Sequence, residues 1–384
     1  MTKEEWFMQE NRKRIIEMVK EGKLTTEEAL VLLDSIQHKR QTEDQKESEK
    51  IEHTTYFEEQ AQNTNEGSEE KFSSQFNEAK DKIMDFVNST MKKIKDIDLQ
   101  FNQSVEFPHV FQQANATVST IDIDVANGHV EVKAWDQPDI RVECQAKVYR
   151  KDNRDEARVF FIDNSSFYLE NGLLRFSTQS KWMKVDTVVY VPRSTYEKAS
   201  IRAFNGNVLG ESLEVTDLRA KTANGKIHLK QVETDKVDME TANGKILIQE
   251  SKADRLTAET MHGSIDVEGK YHMVDLQTLN GNLSCVLNNN ETDTLHMKAV
   301  SGNIHVYVSD DLMIEGQCKS NLGNVKVQLE NMDVLEEKKE VMLKQLRFKR
   351  SGLTEKPLHL FAETRTGTVY VQKNELEETK EEKE

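Results

Sequence analysis

Apolar and polar residues alternate in short paired runs from Ala203 to Gly323, and a glycine separates the two runs of each pair. Counted from that glycine, apolar side chains stand seven and five positions before it and two and four after it. The pattern reads Leu218/Ala220/Ile227/Leu229 around Gly225 and Val237/Met239/Ile246/Ile248 around Gly244. Alternation of this kind on both sides predicts two short strands per unit, each with one buried face. The glycines are Gly206, Gly225, Gly244, Gly263, Gly281, Gly302 and Gly323, spaced by 19, 19, 19, 18, 21 and 21 residues. Such regularity is the mark of a stacked repeat. Outlying copies of the phrase surround Gly128 and Gly367.

Two architectures fit these runs. Asn-Gly between alternating strands is a strong hairpin signal, which would give a hairpin-built sheet or sandwich. A meander of hairpins, however, has no need to place the same residue at the same offset in every copy. Thr222, Thr241, Thr260 and Thr278 stand three positions before their glycines, and Asn205, Asn224, Asn243 and Asn280 stand one before. Ladders of like small polar residues suit coils stacked in register, each side chain bonding its copy above and below. The expected fold is therefore mainly β, a β-solenoid-like domain of about 19–21 residues per repeat. Seven rungs at about 4.8 Å would span roughly 34 Å.

The flanking sequence predicts other elements. Residues 1–37 read as a helical hairpin: Trp6, Ile15, Ile16 and Val19 stripe one helix, Gly22 ends it, and Thr25 with Glu28 forms a capping box for the next. Such a short unit cannot bury its own core, which predicts self-association or a protein partner. Residues 38–68 are polar and acidic and read as a flexible tether. Over 69–100, Phe72, Phe76, Ile83, Phe86 and Ile94 fall at near-heptad spacing on one long amphipathic helix, with Lys80, Lys82, Lys92, Lys93 and Lys95 along it. That helix suits a coiled coil, a cap lying on the solenoid, or an anionic membrane surface. Residues 101–200 read as an irregular β cap and 201–330 as the regular array. A helical insertion is expected at 331–352, a terminal β repeat at 353–373, and a disordered acidic tail at 374–384.

Composition narrows the function classes. Sixty-eight acidic residues against 52 basic ones give a net charge of −16, which argues against a nucleic-acid binder. Cys144, Cys285 and Cys318 show no paired spacing and read as buried thiols in a reducing compartment. With no apolar run near membrane-span length and a charged N-terminus, the chain reads as cytoplasmic, with membrane association as a possibility of the amphipathic helix.

The phrase VYVPRSTYEKASIRAFNGNVLG and the tandem T-x-N-G units resemble the adhesin-like β-repeat family of bacterial proteins, over roughly residues 115–373. The segment KEEWFMQENRKRIIEMVKEGKLTTEEALVLLDSI is similar to the short helical domain that precedes this module in Firmicutes members. The resemblance implies a role linked to the cell-envelope stress response, with no enzymatic activity attached to the fold.

The residues themselves offer little chemistry. His228, Asp266 and His305 share an outward column three positions after the glycine, but lie two rungs apart, roughly 10 Å. They read as surface decoration rather than a metal site. Neither that column nor the one directly after the glycine repeats a carboxylate cluster as sugar cleavage would require. The calcium nonapeptide, the Gly-x-Ser-x-Gly elbow and the phosphate loop are absent. No catalytic residue, cofactor or metal is expected.

Overall fold

The computed structural model describes residues 104–115, 117–288 and 290–374, with Asp85 as a single further position. The expected helical hairpin, the tether, nearly all of the amphipathic helix and the tail from 375 onwards lie outside the described residues.

The repeats form a parallel β-solenoid. Successive rungs are β8 (Thr195–Asn205) with β9 (Val208–Glu211) and β10 (Glu214–Asn224) with β11 (Ile227–Lys230). β12 (Glu233–Asn243) then continues into β13 (Ile246–His262), β14 (Ile265–Asn280) and β15 (Leu283–Leu287). The array closes with β16 (Thr294–Ser301) and β17 (Ile304–Val308). Each strand pairs in parallel with its copy one rung on, so Thr222 faces Thr241, Thr241 faces Thr260, and Thr260 faces Thr278. The hairpin alternative is excluded by this register. The apolar positions read from the sequence, among them Leu218, Ala220, Ile227 and Leu229, fill one continuous core.

Glycine holds the corner for want of space. At Gly225, Gly244, Gly263, Gly281 and Gly302 a β-carbon would overlap the carbonyl oxygen of the preceding glycine in the stack. Gly225, Gly244 and Gly281 lie outside the left-handed φ region, so backbone freedom is not the common requirement. Close approach of two backbones is. The opposite corner does use left-handed residues: Ser212, Gln231 and Glu250 have φ of 56°, 52° and 53°. The next rung shifts register at this corner and sets Gly269 opposite Ser251.

At both ends the stacking order departs from the chain order. β2 (Thr120–Asn127) and β3 (Val130–Trp135) lie against β8 and β9 on one side. On the other side they meet β6 (Leu173–Thr178) and β7 (Met183–Pro192). The intervening chain builds a cap: β1 (Ser104–Gln113), β4 (Ile140–Tyr149) and β5 (Ser165–Glu170) pair antiparallel, and α1 (Arg154–Asp163) buries Ala157 and Phe161 against them. β5 turns into β6 through Asn171 and Gly172, both at positive φ, as an antiparallel hairpin. At the far end β21 (Leu358–Lys373) slides between the β16/β17 rung and β18 (Ile314–Gln328). The repeat around Gly367 is therefore last in sequence but not last in the stack.

The helix expected at 331–352 is absent. The segment forms β19 (Met332–Glu340) and β20 (Leu343–Arg350), an antiparallel hairpin on the edge of β18. Leu346, Phe348 and Arg350 alternate inward, whereas Val341, 95% exposed, sits in the turn and takes no part in an apolar stripe. An open parallel edge at β18 favours strand addition, and the charged run Glu336–Glu340 on β19 discourages a further strand.

Candidate functional site

The ladders legible in the sequence line one corner. The Asn224 side-chain amide donates to Asn205 Oδ1 at 2.8 Å, Asn243 donates to Asn224 at 2.9 Å, and Asn205 donates to Asn127 at 2.9 Å. Asn280 meets His262, which takes the asparagine slot, at 3.3 Å. The threonines do not bond one another. Thr222, Thr241, Thr260 and Thr278 each donate a hydroxyl to a glycine carbonyl of the neighbouring rung, at 2.8, 3.1, 3.2 and 3.2 Å. Those carbonyls are the ones that forbid a β-carbon, so the buried hydroxyl reaches a group the tight corner leaves short of partners. Ser320 and Thr364 repeat the contact with Gly367 and Gly302.

A third ladder was not recognised in the sequence. Asn207 Oδ1 accepts from the Lys226 backbone N–H, Asn282 from that of Asn303, and Asn303 from that of Thr368. The recurrence of asparagine directly after the glycine was its signal. All three ladders serve the scaffold, and the glycine column belongs with them.

The solvent side of the long strands carries the surface with functional character. Side chains six, four and two positions before each glycine point away from the core. The outermost column runs Arg219, Asp238, Thr257, Asp275, His296 and Phe361, and the middle one Lys221, Glu240, Glu259, Gln277, Lys298 and Glu363. The third is apolar: Phe204, Ala223, Ala242, Met261, Leu279 and Val300. Because strands alternate, a sequence search centred on positions after the glycine misses all three.

This broad face is charged and partly withdrawn from water. Lys221 Nζ bonds Glu240 at 2.6 Å across one rung, Asp275 meets His296 at 3.3 Å, and Lys319 meets Glu363 at 2.9 Å. Burial lowers the pKa of Lys298, while Glu363 and Asp275 raise it. Toward the stack end, Arg255, Met273, Asp275, His296 and Phe361 line a hollow of about 330 Å³. On the opposite side His305 stacks on Tyr370 with ring centroids 4.7 Å apart. His228, Asp266 and His305 stay on separate rungs, and His228 is engaged by Gln249 at 3.1 Å. No group of three His, Cys, Asp or Glu side chains able to hold a metal occurs among the described residues. Phe72, Phe76, Ile83, Phe86 and Ile94 lie outside them.

Residues 118–348 match the Toastrack DUF4097 family, and residues 10–41 match a SHOCT-like domain. The chain is 38% identical over 369 residues to "Uncharacterized protein YvlB" of Bacillus subtilis (strain 168), covering 94% of this chain and 98% of that one. Two solved structures are matched over part of this chain. A proposed cell adhesion protein from Clostridium sporogenes is 8% identical with a TM-score of 0.22, covering 71% of this chain and 100% of that one. A proposed lipid-binding protein from Parabacteroides distasonis is 12% identical with a TM-score of 0.35, covering 70% and 97%.

Proposed function

We propose that this chain, which belongs to the Toastrack DUF4097 family, is a non-enzymatic binding scaffold that offers the broad face of its solenoid to a protein partner. The observation that carries this reading is the apolar column on the outward side of consecutive rungs, from Phe204 to Val300, beside a column of charges. Outward strand positions in a solenoid have no core to fill, so apolar residues repeated there favour a covered surface. Stacked rungs hold the columns rigidly, which limits the ordering cost of binding. The three thiols are buried and Glu240 is held by Lys221. The finer reading, a role in the cell-envelope stress response, follows from the family resemblance.

Affinity capture from envelope-stressed cells tests it. The full-length chain should retain a defined protein that is lost with Met261→Asp plus Leu279→Asp and kept with Gln249→Arg on the other side. Capture unaffected by the face variants would overturn the reading.

A further inference from the structure

We infer that residues 73–97 of this same chain lie along the broad face and cover it, so that a partner competes with an internal occupant. This deepens the reading of that face as a binding surface and rests on it. Ala223 and Ala242 point outward yet are 1% and 5% exposed, and the charged or polar Glu240 and Gln277 beside them are 4% and 7% exposed. The described elements packed against β12 and β13 are their stacking neighbours, and none lies over the face. Glu240 Oε2 and Gln277 Oε1 are buried without a hydrogen-bond partner. Buried polar oxygens in that state call for a donor.

The segment supplies what the face lacks. Phe76, Ile83, Phe86 and Ile94 match an apolar column of alanine, methionine and leucine. Lys80, Lys82, Lys92, Lys93 and Lys95, set among Glu78, Asp81, Asp85 and Asp96, supply donors for Asp238 and for the Glu240 oxygen that Lys221 does not hold. Asp85, the one described residue of the segment, is helical and exposed, as a residue off the Phe76–Ile83–Phe86 stripe should be.

Reach also agrees. The chain enters the described fold at Ser104, on β1, at the N-terminal cap. Along the pairing order β1, β4, β7, β3, β9 and β11, the β10/β11 rung lies five strand spacings away, about 24 Å. The β16/β17 rung lies nine away, about 43 Å. As a helix, 25 residues span about 38 Å. The six residues 98–103 add about 20 Å when extended.

Maleimide labelling of Ala242→Cys in the dilute full-length chain tests the inference. The native thiols are buried and stay unlabelled while the solenoid is folded, which reports on folding in the same tube. Labelling should be slow, and adding Phe76→Asp with Phe86→Asp should accelerate it by at least about tenfold, because the site then no longer waits for local opening. Equal rates in the two chains would overturn the inference. So would a rate that falls as protein concentration rises, which would make a second copy the occupant. Rapid labelling alongside face-dependent capture would remove the cover and keep the scaffold; slow labelling without capture would do the reverse.

Discussion

Gly244 and Gly225 meet so closely that a β-carbon on Gly244 would overlap the Gly225 carbonyl oxygen. The obstruction is backbone, which cannot swing aside as a side chain can. Gly244→Ala should therefore cost about 3 kcal/mol, at the upper end of overpacking effects. Gly210→Ala is the control, since its methyl would meet the ends of the Leu229 and Leu213 side chains and no backbone, and should cost about 1 kcal/mol. Urea unfolding of the two variants checks the ranking.

The two polar ladders should differ in worth. Thr241 is fully buried and donates to the Gly225 carbonyl, so Thr241→Val leaves a carbonyl deprived of that bond away from water, at about 2 kcal/mol. Asn224 makes two ladder bonds on an exposed edge, where water replaces them. Asn224→Ala should cost about 1 kcal/mol or less. Thermal unfolding showing the asparagine to matter more would contradict this account of the corner.

The solenoid was legible because each rung repeats the same local demands, and a demand made many times outweighs any single ambiguous residue. The glycine column and the asparagine ladder stood in the sequence for that reason. The role of Thr222 and Thr241 was less visible, because their acceptor is a backbone carbonyl that sequence does not display. The hairpin at 331–350 reads as a helix in the sequence because Val334, Val341 and Met342 are spaced like an apolar stripe, while the open edge of β18 that decides the matter is a tertiary fact. The broad face escaped notice for a simpler reason: its residues occupy the alternate positions before the glycine.

Alkaline pH should weaken the fold through its thiols. Burial pushes Cys144, Cys285 and Cys318 from 9.0 up to about 12. Between those values the unfolded chain releases protons that the folded one retains, so rising pH favours unfolding. The contribution is complete below about pH 9 and lost as pH climbs toward 12. Urea midpoints should fall over this window, and the slope should be shallower in Cys285→Ala, whatever that variant's lower starting stability. A slope identical to the parent's would place the pH dependence elsewhere.

The insertion of β21 predicts how the C-terminal end fails. On one side β21 pairs with β16 and β17, on the other with β18, and Leu358, Leu360, Val369 and Val371 are fully buried between them. The link from Val308 to Ile314 is short, so β18 owes its place in the stack to the strand beside it. Because stacked repeats depend on their nearest neighbours, removing residues 358–384 should act locally. Hydrogen exchange should show protection lost across 314–350, including Arg350, which ties β20 to the Ser309 carbonyl at 3.0 Å and the Asp310 carbonyl at 2.7 Å. Protection in β8 to β14 should persist. If 314–350 stay protected, β18 has moved one rung inward to stack on β16 and β17, and the inserted strand is not what holds the end together.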